Sequence, residues 1–480
     1  MSKNEYDAVI IGSGPNGLSA AITLQQQGLS VLIAEARSTV GGGMRTKELT
    51  LPGFRHDICS AIHPLAAGSP FFRSLPLGDF GLEFLYPAIN AAHPLDNGKA
   101  AALFTSVQAT ANALGEDKQR YLDIFSSLIS EWPSLSEQLL GPFRIPANPL
   151  PLVRFGLKGL QSAAGFAKTF RTEAAKALFG GMAAHSIQPL TNYGTAAFGL
   201  VLMTAGHTFG WPVAKGGSQA IADALAAYFV SIGGVIETGI RVKSLRELPS
   251  SKTIFFDTSP DQLFSLAGHR LSQVYKWQLK KYQYGPGIFK IDWALDSPIP
   301  FSDDHCREAG TIHIGNSLAE IKNAEQETWN GVHPDRPYVL LAQQTIADPS
   351  RAPAGKHTAW AYCHVPNGSE KDMTRAIENQ VERYAPGFRE RIIGKHIMNS
   401  ARLHEYNPNY VGGDINGGSI DLSQLFTRPA LRFSPYRTSA KGLYICSAST
   451  PPGGGVHGMC GYHAARRALK DIFKIHLKSF

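Results

Sequence analysis

Near the amino terminus, Gly12, Ser13, Gly14, Pro15, Asn16 and Gly17 carry the spacing G-x-G-x-x-G, and Glu35 follows about twenty residues later. Residues of these types in this order suit one task, the holding of a dinucleotide. Gly12 permits a tight turn, Gly14 lets a pyrophosphate reach the backbone, and Gly17 lets the next helix pack on its strand. Amides at the helix start, aided by the helix dipole, favour the phosphate charge. An acid at position 35 accepts from ribose hydroxyls and repels a phosphate on that ribose. The pattern therefore fits FAD or NAD, and not NADP.

The flanking sequence supplies the elements that must position these residues. Residues 7–11 are mostly apolar, as a buried parallel strand requires, and residues 18–27 are good helix formers stopped by Gly28. Residues 30–34 form a second strand that ends at Glu35. Strand, glycine turn, helix, strand and acid in that order are the context the motif needs. Just beyond, Ala36, Arg37, Gly42, Gly43, Met44 and Arg45 bring amides and a cation toward the same pyrophosphate. At the other end of the chain, a strand over 443–446 runs into Ser447, Gly453, Gly454, Gly455, Val456 and His457, and then a helix to residue 474. That is a second strand, glycine turn and helix, and a second amide-lined anion site.

Composition narrows the class. A chain of 480 residues with 43% hydrophobic and 18% charged residues folds into more than one domain, or one large domain with an insertion. The net charge of +8 comes from scattered basic residues without a long like-charge block, so a solvated basic surface is expected and nucleic acid is not. Five widely spaced cysteines (59, 306, 363, 446 and 460) form no C-x-x-C pair, which excludes a redox dithiol and suggests no metal site. They point to a reducing, cytoplasmic compartment. Lys3, Asn4 and Glu5 lead directly into the first strand, unlike a cleavable signal, and the run 194–206 is too short to span a bilayer.

Between the two glycine turns, residues 71–207 read as helical, with Tyr121, Ile124, Phe125, Leu128 and Ile129 at helical spacing. Segment 141–171 interleaves apolar residues with Arg144, Arg154, Lys158, Lys168 and Arg171. Such a segment either closes over an apolar pocket as a lid or touches a membrane surface peripherally. Residues 219–232 read as a helix, and 235–237, 241–245 and 253–257 as strands. Strand composition returns at 282–293, 338–344 and 357–363, the last with an alternating pattern, before a helix over 373–384. His56, Asp57 and His63 are acid or base candidates whose ordinary reading is structural.

These motifs resemble a family. Glu35 followed by Gly41-Gly42 and Thr46, Pro212 followed by Gly216-Gly217, the stretches Gly412-Gly413-Asp414 and 424–429, and the 447–458 loop are similar to phytoene dehydrogenase-like flavin oxidoreductases. That branch includes the phytoene desaturases and the pyridine nucleotide-disulphide oxidoreductase domain-containing proteins; its wider superfamily contains the amine oxidases. The resemblance implies an α/β protein: a Rossmann-type FAD-binding domain (1–70, 210–268 and 431–480) with an interleaved α+β substrate domain (71–209 and 269–430). It implies that Val242 meets the adenine through its backbone and that the helix after His457 faces the flavin ring. A lipophilic small molecule would be dehydrogenated, with dioxygen or a quinone as electron acceptor. Ser447 and Ser449 stand where glycines are usual in the family, and Pro451 where histidine is frequent. Asp414, in a glycine-flanked turn, and His457, just before the helix, are the expected proton-handling residues. Two other readings stay open: an amine or amino-acid oxidase on the same scaffold, and a flavin-bearing binding or assembly protein without turnover.

Overall fold

A computed structural model describes residues 5–144, 146, 148–425 and 427–477. Lys3 and Asn4, two positions of the 141–171 segment (Ile145 and Ala147) and Phe426 of the 424–429 stretch lie outside the described residues.

Two sheets organise the chain. The first is all parallel, in the order β16 (Leu443–Ile445), β10 (Ser250–Phe256), β1 (Glu5–Ile11), β2 (Val31–Glu35) and β9 (Val235–Thr238). Its central strands are almost continuously apolar because both faces are covered. Helices α1 (Pro15–Gln25), α6 (Gln219–Ser231) and α8 (Met459–Ala468) cover one face, where Ile10, Leu18, Ile33, Leu225, Phe255 and Ala464 share a core. Phe256, Leu263 and Tyr275 pack on the other face. Each such buried side chain contributes about 1.5–3 kcal/mol.

The second sheet is mixed, in the order β15 (Ile392–Met398), β11 (Gly287–Leu295), β14 (His357–Val365), β13 (Val339–Ala342), β12 (Ala309–Ile314), β6 (Ile89–Pro94) and β7 (Ala100–Leu103). Only β12 and β6 pair in parallel. One face meets α4 (Glu173–Ala183) and α5 (Thr195–Phe209), and the other packs on α7 (Thr374–Tyr384) through Ile377 and Val381. Helices α2 (Lys118–Leu139) and α3 (Leu150–Gly159) lie outside α5. Hairpins β3 (Thr46–Glu48) with β4 (Arg55–Asp57), and β5 (Phe84–Leu85) with β8 (Val213–Ala214), complete the strands.

The structure corrects four expectations. Residues 71–207 are not purely helical: β5, β6 and β7 lie among them. β6 and β7 are alanine-rich, weak strand formers fixed by the partners they meet in the larger sheet. Residues 241–245 form no strand, because Gly239 at φ +74° turns the chain away and exposed Arg241 and Lys243 have no neighbouring strand. Residues 357–363 do form a strand, but Thr358 to Val365 are buried without alternation, since helices cover both faces of β14. The last helix runs as α only to Ala468 and widens over Leu469–Phe473 before Lys474 enters the left-handed region at φ +61°.

The chain's two ends meet where α1 and α8 cross. A β-carbon at Gly461 would lie 1.8 Å from the Asn16 carbonyl oxygen, and one at Gly458 would lie 2.1 Å from Ser19 Oγ. Gly461→Val is therefore expected to destabilise the fold by about 3 kcal/mol, the upper range for overpacking. Gly78, with no atom within 4 Å of an added β-carbon, provides the control. Gly78→Ala should change stability by less than about 0.5 kcal/mol. Urea unfolding midpoints of the two variants test the contrast.

Candidate functional site

The carboxyl edge of the parallel sheet gathers the glycine motifs. After β1, Gly12 sits at φ +100°, and α1 begins with Pro15, which needs no amide partner at that position. A β-carbon on Gly17 would stand 2.2 Å from the Gly12 carbonyl oxygen, so strand and helix approach as closely as glycine allows. The second loop closes onto the first: Gly41 donates its N–H to the Ser13 carbonyl at 3.0 Å, and a β-carbon on Gly42 would lie 2.9 Å from Gly14 Cα.

Glu35 lies at the end of β2, buried and fully engaged. It accepts from the Ser13 amide (2.9 Å), the Ser13 hydroxyl (2.6 Å) and the Arg37 amide (2.8 Å), and pairs with Arg45 at 3.1 Å. The Arg45 guanidinium also binds the carbonyls of Thr39 and Gly42, which fixes the loop's curvature. Ala36 is exposed. The Arg37 guanidinium is committed to the carbonyls of Glu405 and Tyr406 and stacks over the Tyr406 ring. Met44 is fully buried in the core, so its side chain is packing. Val242 lies beyond the point where the Ile240 amide donates to the Glu35 carbonyl, and it packs beside Leu245 and Leu248.

The carboxyl-terminal loop arrives from β16. Ser447 accepts at its backbone oxygen from Thr450, Gly453 and Gly455 take φ values of +114° and +115°, and Val456 packs at the edge of the same core. His457 is buried, and its Nδ1 accepts from the Met459 amide at 3.0 Å. Burial pushes its pKa down to about 4, partly offset by the Gly454 and Gly453 carbonyls, so it is neutral at neutral pH.

Asp414 belongs elsewhere than expected. Its carboxylate is buried and accepts from the amides of Gly285 (2.8 Å), Asn416 (2.7 Å) and Gly418 (2.9 Å). Burial raises its pKa, while those amides and Arg428 oppose the shift. A carboxylate engaged by three amides builds its turn and has little capacity to accept a substrate proton. That turn supports the carboxyl-terminal loop from behind: Arg428 ties the carbonyls of Asn416 and Gly417 to that of Ala448. Asp57 likewise pairs with Arg351 at 2.6 Å and accepts from Thr46 and the Ser218 amide. His56 and His63 are buried, bonded to Thr50 and Ser218, and lowered to about 4 by burial, which gives them their structural reading.

Two groups escaped the sequence reading. Asp257, just after β10, places Oδ2 2.9 Å from the Gly17 amide and 2.6 Å from where a Gly14 β-carbon would stand. Burial raises its pKa to about 7, against the amides of Gly17 and Gly14 and with a contribution from Glu35. Only the end of a strand marked it in sequence; its partner lies 240 residues away. The second is Lys290 on β11, fully buried, paired with Asp292 at 2.5 Å and 5.5 Å from the Trp360 ring. From Gly43, whose β-carbon would meet the Tyr410 hydroxyl at 2.4 Å, contact passes to Cys59, which feels the Lys290 charge. The cradle leaves the buried Asn16 Oδ1 without a hydrogen-bond partner among the described residues. In charge it holds two carboxylates, of which Asp257 is poised near neutrality.

Comparison with known proteins agrees with this geometry. Residues 10–74 match the NAD(P)-binding Rossmann-like domain. The chain is 26% identical to pyridine nucleotide-disulfide oxidoreductase domain-containing protein 2 of Rattus norvegicus, over 98% of this chain and 94% of that protein. It is 23% identical to the neurosporene-forming phytoene desaturase of Rhodobacter capsulatus, over 96% of this chain and 94% of that one. Among solved structures, putrescine oxidase bound to putrescine has a TM-score of 0.63 at 15% identity, covering 98% of this chain and 99% of that one, a likeness of fold. The similarity read from the motifs extends over 98% of the chain, and the fold is α/β with a Rossmann-type domain.

Asp257 generates a pH prediction. Its folded pKa, about 7, lies above the ordinary value of 3.8, so between those values the folded protein keeps a proton that the unfolded chain releases. The stability held by this proton is complete below about 4 and lost as pH rises through about 7. Asp257→Asn keeps an acceptor for Gly17 and removes the titration. Urea unfolding across that window should show a shallower decline in the variant; parallel curves would mean that Asp257 does not titrate there.

Proposed function

We propose that this protein is an FAD-dependent oxidoreductase that dehydrogenates a lipophilic small molecule. One observation carries the reading: two glycine turns from opposite ends of the chain converge on the carboxyl edge of one parallel sheet, with Glu35 at the end of the adjacent strand. The turn 12–17 and the Gly42–Gly43 loop would hold the pyrophosphate, Glu35 the ribose in exchange for its Ser13 hydroxyl contact, the backbone at Val242 the adenine, and the loop of Ser447, Gly455, Val456 and His457 the ring system. FAD bound there would supply the hydride acceptor: the substrate would lose a hydride from one carbon and a proton from its neighbour, leaving a C=C bond, with dioxygen or a quinone as the final electron acceptor.

The chain's own residues supply position, dryness and proton control. Trp360 and Tyr362 stack at 5.5 Å on the buried face of β14 beside Lys290, a water-poor wall suited to an apolar substrate. His457 is neutral, and its Nδ1 is already bonded to the Met459 amide. It therefore serves as a neutral donor at Nε2 at the loop edge. Lys290 Nζ donates to Asp292 Oδ1. The amine-oxidase alternative is less favoured, because the Trp360 ring, one half of the aromatic pair, already faces the Lys290 side chain. Like charges would meet there.

The purified protein should be yellow and release FAD on denaturation. Gly14→Val should be colourless, since its β-carbon would strike Asp257 Oδ2 at 2.6 Å and force the turn out of shape. A colourless wild type that binds NAD would overturn the cofactor assignment. Anaerobic mixing of the yellow protein with polyenes and with amines reads the substrate class. Bleaching by a polyene supports dehydrogenation; bleaching only by amines selects the alternative; no bleaching by either selects a protein without turnover.

A further inference from the structure

Helix α3 is apolar on the side that faces away from the protein. Leu150, Val153, Leu157 and Leu160 recur at spacings of three and four residues, one stripe of a 3.6-residue helix. They are 50%, 53%, 72% and 52% exposed. The helix is held from behind by Phe155 and Gly159, which are buried, the latter against Ala197 of α5. This stripe is therefore not the helix's core-facing side. It is a second apolar face without a partner among the described residues. Tyr193, 71% exposed, adjoins the end of α3 through its backbone bridge with Ser162.

Charge identifies what covers the face. Residues 141–172 contain Arg144, Arg154, Lys158, Lys168 and Arg171 and no acidic residue. Arg154 and Lys158 flank the stripe on one side of the helix. Among the described residues, the only ion pair made by these five is Arg154 with Glu131. An exposed apolar stripe with a basic flank and an aromatic at its end is the composition of a surface that lies in a lipid headgroup layer. No helix among the described residues is long and apolar enough to cross a membrane, so the contact is with one leaflet only. Beside the stripe an open cleft of about 440 Å³ runs between the second half of α2 and the start of α3, lined by Pro133, Leu135, Gln138, Pro146, Pro151 and Leu152. A bilayer seated on α3 would cover the mouth of that cleft.

We propose that the outer face of α3, with Tyr193 and the basic residues around it, docks the protein reversibly on an anionic lipid surface. The inference is independent of the redox chemistry: it concerns where the protein works, and it needs no particular reaction.

Flotation of the full-length protein with phosphatidylcholine vesicles, with and without phosphatidylglycerol, tests it. The protein should float with the anionic vesicles at low salt and several-fold less at high salt, because surface attraction is screened. Leu157→Asp, at the most exposed position of the stripe, should abolish flotation while leaving the circular dichroism spectrum and any bound flavin unchanged. Absence of flotation at low salt overturns the proposal, as does a variant that floats like the wild type. So does a wild-type dimer that Leu157→Asp converts to monomer without any lipid binding, which would assign the face to a second copy of the chain. Flavin content measured in the same fractions keeps this outcome separate from that of the redox reading.

Discussion

The crossing of α1 and α8 is the constraint on which the architecture depends. Gly461 rests on the Asn16 carbonyl, and Gly458 on Ser19, at distances that no other residue type permits. Because α1 starts at the first glycine turn and α8 starts after the last, this contact fixes both loops relative to one another. Everything between residues 25 and 459 must return to the same point. The chain does so by placing β9, β10 and β16 beside β1 and β2, while the residues left over build the larger sheet. The cradle is thus closed by the packing of two helices, not by any one bond across it.

Buried charge then ties the second sheet to the β3–β4 hairpin and the start of α6. Arg351, in the turn after β13, pairs with Asp57 of the β4 hairpin, and the same carboxylate caps the entry to α6 by accepting from Ser218. Asp292 of β11 faces Lys290 and approaches His56 and His396. Breaking one partner of such a pair leaves an uncompensated charge in a low-dielectric interior, at a cost of about 3–5 kcal/mol.

The parts of the protein that were legible in its sequence are those where backbone geometry dictates residue type. Gly12, Gly14 and Gly17 had to be glycine, and Glu35 had to end a strand, so the motif announced itself within thirty-five residues. The helical spacing of α2 and the β-rich run of β14 were equally local. Long-range contacts were not. Asp257 is silent until its strand lies beside β1, and Lys290 looks like an ordinary strand lysine until β14 covers it. Asp414 stood out because glycines surround it. Yet those glycines serve a turn whose amides consume its carboxylate. The same signal, a polar residue among glycines, marked the amino-terminal glycine turn in one place and a structural anchor in another. β6 and β7 lay hidden because alanine carries no strand preference of its own.

The interleaved chain also imposes an order on biosynthesis. Every strand of the larger sheet has been made once the ribosome passes Met398, whereas β16 and α8 come last. The larger sheet can pair while the smaller one still lacks an edge strand and its covering helix. Until residues 443–468 leave the exit tunnel, the amino-terminal glycine turn has no lid, and Asp257 lacks a neighbour on the β16 side. Any ligand that needs both glycine turns can therefore be held only after α8 has packed on α1.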